Sequence, residues 1–272
     1  MKSTRRKFIK AGLLSLAGFL LLDAFWLEHF FIEKKTIYLG QATDDQYDLK
    51  VVQISDLHLK SFNRQLKTLA KRINEEKPDL ILFTGDSVDN QHNIGLLDEL
   101  LSQLDHSIKK FAILGNWEYW GKVSLDELRS VYARHNCELL INNSRQWTLN
   151  EQTVTITGVD DFLGGDANIG LALQAYQQSD YHIILNHCPQ YGDVIFDKLN
   201  GKVAYDLMLS GHTHGGQINL FGFIPFKPKG SGRYLKGWYP DKRIYVSKGI
   251  GTSILPIRFL SRAEFTVIKM MA

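Results

Sequence analysis

The sequence predicts an α/β protein, a four-layer α-β-β-α sandwich in which two mixed sheets pack face to face with helices outside. Three observations predict it. From residue 49 onward, short apolar runs alternate with amphipathic segments of helical spacing. The runs are apolar almost without interruption, which marks strands buried on both faces. Five of them stop on Gly or polar residues, among which carboxylates and imidazoles predominate. Open α/β sheets bind their ligands where strands end in this way.

The elements follow in order. Residues 33–48 are polar, with Lys34-Lys35 and Asp44-Asp45, and read as a tether or an edge strand. Val51-Val52-Gln53-Ile54-Ser55 is the first buried strand. Residues 63–76 place Leu66, Leu69, Ala70 and Ile73 on one helical face, and Pro78 stops the helix. Leu80-Ile81-Leu82-Phe83-Thr84 is the next strand, residues 94–104 a second amphipathic helix, and Phe111-Ala112-Ile113-Leu114 a third strand. Ser124-Leu125-Asp126-Glu127 has the pattern of a capping box and opens a third helix. Residues 147–149 and 153–158 alternate in polarity, and Asn150-Glu151-Gln152 joins them as a hairpin. Ile183-Ile184-Leu185 and Leu207-Met208-Leu209-Ser210 repeat the pattern of strand, polar end and helix. The chain closes with strands around Ile244-Tyr245-Val246 and Phe265-Thr266-Val267-Ile268. There is no internal repeat and no low-complexity tract, and residues 49–272 read as one domain.

The ends of the five runs carry the chemistry. They are Asp56-Leu57-His58, Gly85-Asp86, Gly115-Asn116, Asn186-His187 and Gly211-His212-Thr213-His214. If the runs lie side by side in one sheet, two carboxylates, four imidazoles and one amide meet at a single rim. That ligand set suits two divalent transition-metal ions. Two ions need one hard ligand that both share, and Asp86 is the candidate, after a Gly that permits a tight turn. Singly, each residue has an ordinary reading: a core or surface His, a turn Asn, a turn Asp. Five such ends in one chain count against that reading. His29, His92, His106, His135 and His182 match no block and read as structural, and Asp89 reads as a turn or helix cap. Cys137 and Cys188 have no metal-binding spacing, and Cys188 reads as a small buried filler.

The pattern resembles that of the calcineurin-like metallophosphoesterases, whose signature runs D-x-H, G-D, G-N-H-[DE], a lone His, then G-H-x-H. The blocks stand here in the same order as Asp56-Leu57-His58, Gly85-Asp86, Gly115-Asn116-Trp117-Glu118, His187 and Gly211-His212-Thr213-His214. The resemblance implies that Asp56, His58, Asp86 and His214 hold a first metal ion, and Asp86, Asn116, His187 and His212 a second. Asn116 and His212 are also the candidate catalytic residues. Mn, Zn and Fe all suit mixed imidazole and carboxylate ligands. In such a pair a shared water is acidified toward neutrality and attacks the phosphoryl group. The implied function is a phosphodiesterase or pyrophosphatase acting on a lipid- or nucleotide-linked phosphate. The stretch Gly211–Gln217 is also similar to a membrane-tethered bacterial branch. An alternative is therefore the hydrolase of UDP-2,3-diacylglucosamine in lipid A synthesis. An alternative of another class is a non-catalytic domain that senses phosphorylated envelope components.

One position departs from the family pattern. Trp117 stands where most members carry a His that stabilises the attacked phosphate and protonates the leaving oxygen. Indole can take neither charge nor proton, so a general-acid contribution of about 10²–10⁴-fold is missing. That loss is tolerable when the leaving group is itself a phosphate. The ordinary reading is that Trp117 packs against Tyr119 and Trp120. Residues 221–240 mix Phe221, Phe223, Ile224, Phe226, Trp238 and Tyr239 with Lys227, Lys229, Arg233 and Lys236, which suits either a membrane interface or a loop over the active site. Asp160-Asp161 is expected to border the substrate pocket.

The N-terminus reads as an address. Ser3-Thr4-Arg5-Arg6-Lys7-Phe8-Ile9-Lys10 precedes an uncharged stretch, residues 11–22, in the layout of an export signal. The adjacent arginines resemble the twin-arginine consensus, which makes the twin-arginine translocase an expected partner. Residues 11–32 are long enough to cross roughly 30 Å of hydrocarbon, although Asp23 and Glu28 interrupt them. Residues 1–32 are therefore expected to be retained as a cell-membrane anchor, with the positive end inside and the catalytic domain extracytoplasmic, in a periplasm. The net charge of +3 comes from this segment: without the five basic residues of its first ten, the rest carries a formal −2. Such a body has no global field for nucleic acid.

Overall fold

The structure, a computed structural model, describes residues 2–22, 31–149, 151–199 and 201–271. Its helices are α1 (Lys2–Leu22), α2 (Arg64–Glu76), α3 (Ile94–Leu101), α4 (Asn116–Trp120), α5 (Leu125–Arg134), α6 (Ile169–Ala172) and α7 (Tyr191–Leu199). Its strands are β1 (Glu33–Gly40), β2 (Leu49–Ile54), β3 (Leu80–Thr84), β4 (Lys109–Ile113), β5 (Cys137–Leu139), β6 (Asn143–Leu149), β7 (Gln152–Gly158), β8 (Tyr181–Leu185), β9 (Leu207–Ser210), β10 (Gly237–Tyr239), β11 (Ile244–Val246) and β12 (Glu264–Met271).

The strands form two six-stranded sheets, ordered β1-β12-β2-β3-β4-β5 and β10-β11-β9-β8-β7-β6. Both are mixed. In the first, β2 to β5 run parallel while β12 pairs antiparallel with β2. In the second, β7, β8, β9 and β11 run parallel, and the edge strands β6 and β10 are antiparallel. The segment left open between tether and edge strand is an edge strand over β1, parallel to β12.

Period-two alternation explains why the runs are apolar throughout. Val51, Leu80, Leu82 and Phe111 pack between the sheets against Ile183, Leu185, Leu207 and Leu209. Their neighbours Val52, Ile81, Phe83 and Ala112 face the other way, onto α2, α3 and α5. Ile184, Met208 and Ile244 do the same on the outer face of the second sheet, against α6 and α7. The result is the four-layer sandwich that the sequence predicts.

Local chemistry sets the helix ends. Asn63 Oδ1 accepts from the N–H of Gln65 and Leu66 at 3.0 and 3.1 Å, and Lys77 in the left-handed region closes α2 before Pro78. The helix predicted over 94–104 stops at Leu101, because residues 103 and 104 bond three residues back and tighten into a turn. The capping box is half made: Ser124 Oγ accepts from Glu127 N at 3.4 Å. Gln91 takes the other half, accepting from Ser124 N and donating to Glu127. The hairpin pairs Asn143–Leu149 with Gln152–Gly158.

At the N-terminus α1 carries Arg5, Arg6, Lys7 and Lys10. Among the described residues no helix is long and apolar enough to cross a membrane. The crossing expected over residues 11–32 falls partly on residues 23–30, which, with His29, lie outside the described residues.

Candidate metal centre

The five ligand-bearing strands are divided between the sheets and do not lie side by side in one. β2, β3 and β4 belong to the first sheet, β8 and β9 to the second. The expected single rim is two facing rims, and buried polar contacts clamp them together. Gln53 Nε2 donates to Ser210 O at 3.0 Å. His187 Nδ1 meets Thr84 O at 2.7 Å. His212 N donates to both oxygens of Asp56, at 2.9 and 3.1 Å. Through these contacts Asp56, His58, Asp86, Asn116, His187, His212 and His214 come to one place, each at most 6% exposed.

The backbone is bent to reach it. Asp56, His58, Asp86, His212 and His214 all have positive φ, between 43° and 71°. For residues with a side chain that conformation costs on the order of 1–3 kcal/mol each, and it gathers at functional sites. Glycine provides the remaining room: a Cβ on Gly85 (φ 89°) would lie 2.6 Å from His187 Nδ1, and one on Gly211 1.9 Å from Ser55 Oγ.

Fixed acceptors decide which ring nitrogen faces inward. His58 Nδ1 is 2.5 Å from Asp89 Oδ1, His187 Nδ1 faces Thr84 O, and His212 Nε2 lies 2.5 Å from Lys229 O. A carboxylate or a carbonyl only accepts, so each of those nitrogens carries a proton and the opposite one is left to serve as a ligand atom. His214 differs, since Arg258, fully buried, places Nη2 3.1 Å from its Nδ1.

The opposite nitrogens point at negative charge. His187 Nε2 is 3.2 Å from Asp86 Oδ2, and His58 Nε2 is 3.7 Å from the same oxygen. His58 Nε2 and His214 Nε2 are 3.0 Å apart, and His214 Nε2 is 3.6 Å from Asp56 Oδ1. His187 Nε2 and Asn116 Oδ1 are buried without a hydrogen-bond partner. Buried polar atoms are rarely left so, and each costs about 1–3 kcal/mol. Burial works against charge on His187, yet Asp86 and then Asp56 raise it well above the ordinary imidazole value. Burial likewise opposes the ionised form of Asp86, and His187 and His58 still hold it below the usual carboxylate range. His214 is pushed well below the ordinary value by burial, His58 and Arg258. The donor set of oxygen and imidazole nitrogen fits divalent ions.

Groups within 4.8 Å of one another divide into Asp56, His58 and His214; Asp56, Asp86 and His187; and His187, Cys188 and His212. Cys188 is more than filler, since its Sγ is 3.3 Å from Asp161 Oδ2. Burial and Asp161 push the thiol well above its ordinary value, so it stays protonated and is a poor ligand.

Several residues act here that the sequence reading assigns elsewhere. Asp89 is no simple turn or cap; it orients His58. Glu118 accepts from four backbone N–H groups, those of Gly115, Asp86, Ser87 and Val88, at 2.6 to 3.3 Å. It thereby fixes the turns that present Asp86 and Asn116, while burial and Asp86 push its carboxyl up to about 7. Its place in the fourth position of the Gly115 block was the signal available. Asp160 and Asp161 do not border the pocket: both are buried, bonded to N–H groups of their own loop and to Tyr119 Oη. Tyr119 is thus turned away, and Trp117 meets His58 and Trp120 edge-on at 5.9 and 5.7 Å. His182 bridges Thr157 and Ala204, in keeping with a structural role.

A cavity of about 530 Å³ opens from the centre. Asp86, Asn116, His212 and His214 line it, together with Trp117, Trp120, Leu163, Phe226, Ile254 and Leu255. Of residues 221–240, Phe226 to Lys229 line the cavity, as expected of a loop over the active site, and Phe221 and Phe223 are exposed.

Asp89→Asn should free His58 to turn and to exchange tautomers. Removing such a partner costs about 10–100-fold in metal affinity, read by titrating the metal-free protein with Zn or Mn; unchanged affinity would show that Asp89 is only structural.

The chain matches the calcineurin-like phosphoesterase family over residues 49–216. It is 33% identical over 288 residues to the uncharacterized metallophosphoesterase YkuE of Bacillus subtilis (strain 168), covering 99% of this chain and 98% of that one. It is 34% identical over 261 residues to an uncharacterized metallophosphoesterase of Aquifex aeolicus (strain VF5), covering 89% and 93%. It is 28% identical over 281 residues to the phosphodiesterase YaeI of Escherichia coli (strain K12), covering 98% and 99%. By these matches the chain belongs to the calcineurin-like phosphoesterase family and is a hydrolase of phosphoester bonds.

Proposed function

We propose that the chain is a dinuclear metal-dependent phosphohydrolase that cleaves a phosphodiester or pyrophosphate bond in a lipid- or nucleotide-linked substrate. The observation that carries this reading is the position of Asp86 Oδ2, 3.7 Å from His58 Nε2 and 3.2 Å from His187 Nε2. It lies between the two proposed ligand groups, as a shared ligand must. Asp56, His58, Asp86 and His214 would hold one divalent ion, and Asp86, Asn116, His187 and His212 the other. When bound, such ions polarise the phosphoryl oxygens and supply an activated water at neutral pH.

The protein's own part is orientation and exclusion. Asp89, Thr84 O and Lys229 O each hold one ring proton outward, so the rings need no turning to present the inward nitrogens. Trp117 N donates to Asp86 Oδ1 at 2.9 Å, which leaves Oδ2 for the centre. The Trp117 ring covers His58 and lines the cavity, so the wall there is apolar and has no proton to transfer. His58 cannot replace it, because Asp89 holds its Nδ1 and Nε2 faces Asp86. The site therefore suits leaving groups that need little protonation, such as the phosphate of a pyrophosphate bond; a UDP-diacylglucosamine as substrate would require the opposite orientation, with the domain facing the cytoplasm.

We also propose that residues 1–32 carry the chain to the cell membrane through the twin-arginine translocase and hold it there, with the phosphohydrolase outside the cytoplasm. Five basic residues before an uncharged stretch support this.

Three outcomes are expected. Asp86→Ala should reduce bound metal from about two ions per chain to one or fewer and abolish turnover of a chromogenic aryl diester; full metal with full activity would end the dinuclear reading. A wild-type protein loaded with metal but inert on aryl diesters and pyrophosphates would be the phosphate-binding sensor instead.

Trp117→His should raise kcat/KM for alkyl phosphate esters by more than for aryl diesters, by up to about 10²-fold, at matched metal content. Equal changes on both substrates would mean that Trp117 shapes binding alone.

Replacing Arg5 and Arg6 by Lys keeps the positive charge but removes the guanidinium pair. Export should then fail, leaving the protein in the cytoplasmic fraction; normal export would favour an ordinary signal anchor.

A further inference from the structure

The segment leading to the cavity exposes apolar side chains that phosphoryl chemistry does not use, although the Phe221 ring meets Phe259 edge-on at 6.3 Å. Phe221 is 79% exposed and Phe223 68%, at the tip of a turn. The turn is closed by hydrogen bonds: Leu220 N donates to Phe223 O at 2.8 Å, Phe223 N to Leu220 O at 3.1 Å, and Gly222 N to Asn219 Oδ1 at 2.6 Å. Its backbone is satisfied without the phenyl rings, which it presents to solvent. The same chain continues into Phe226, 76% exposed, and into the exposed Lys227 and Lys229 at the cavity. Ile254, 81% exposed, and Trp120, 56% exposed, line that cavity too. Contiguous exposed apolar surface with basic residues among it marks an interaction site.

The strand register shows which way this face is turned relative to the N-terminal segment. Thr266 pairs with Gln53, so Glu264 stands level with Ser55, one residue before Asp56. Glu33 pairs with Glu264. Glu33 is thus two strands from Ser55, or roughly 10 Å at the usual strand spacing. The chain before Glu33 therefore leaves the body at the ligand rim and not at the opposite end of the sheets.

We propose that the rim bearing the metal cavity docks on an anionic lipid surface. Phe221 and Phe223 enter the acyl boundary, Lys227 and Lys229 face the headgroups, and a phosphorylated headgroup reaches the cavity without leaving the bilayer. The last step rests on the phosphohydrolase reading; the docking does not. Lysine among phenyl rings selects a negatively charged interface, and a segment leaving from the same rim holds that rim toward the membrane it binds.

The test uses the full chain with Phe223→Cys carrying an environment-sensitive nitrobenzoxadiazole label, the native Cys137 and Cys188 being buried. Vesicles of phosphatidylcholine with phosphatidylglycerol should shift the label emission to the blue, and lipids carrying a spin-label quencher should quench it. The same label at Lys71→Cys, on the exposed side of α2, should stay water-like. A water-like label at position 223 overturns the proposal, whether the chain stays in solution or binds through residues 1–32.

A second arm uses Phe221→Ser with Phe223→Ser. Turnover of a soluble aryl diester should be unchanged, while turnover of a phosphodiester lipid in the same vesicles should fall about tenfold or more. Equal turnover of the lipid by both proteins counts against docking. A wild type inert on the soluble diester, with a blue-shifted label, would overturn the phosphohydrolase reading and leave docking intact.

Discussion

Everything at the rim depends on negative charge buried where the two sheets meet. Asp56 and Asp86 are almost wholly removed from water, with Glu118 directly behind Asp86. Taking an isolated carboxylate out of water costs several kcal/mol even after relaxation. Backbone N–H groups offset part of that: four reach Glu118, one reaches Asp86 from Trp117, and His212 N reaches both oxygens of Asp56. The rest has to come from cations, and the carboxylates already draw protons onto His187 and His58. The strained left-handed residues and the crowded glycines follow from bringing so many short side chains to one point.

How much of this could be read from the chain depended on whether the information was local. The continuous apolar runs named their own strands, because residues facing both ways are buried. Each run also named its ligand, because the ligand follows the strand directly. The division of the five strands between two sheets was not legible, since nothing within Ile183-Ile184-Leu185 says which neighbour it pairs with. Asp89 was misread because a carboxylate three residues past a turn looks like a cap; its partner His58 is 31 residues away. Arg258, buried against His214, lies in irregular chain with no periodicity to mark it. Asp160-Asp161 misled in the opposite sense: two adjacent acids suggest a pocket, and here they fold their own loop.

Trp117 shows how a scaffold separates holding from reacting. Its backbone N–H anchors Asp86, a contact that any residue except proline could make, while its ring takes a place from which another side chain could have moved a proton. The first function constrains position 117 to the start of α4, and the second leaves the side chain free to vary with the substrate. The apolar lining formed by Trp117, Trp120, Leu163 and Phe226 continues the same choice outward from the centre.

The position of β12 has a consequence for how the molecule is made. This strand, at the end of the chain, is inserted between β1 and β2, close to its beginning. During synthesis β1 has no partner, and β2 has one open edge, until residue 271 has left the ribosome. Every ligand from Asp56 to His214 is by then already made, but the sheet that carries three of the ligand-bearing strands is incomplete. Completion of the first sheet is therefore a late event, and a chain cut short before Glu264 would lose two strands of that sheet, the absent β12 and the orphaned β1.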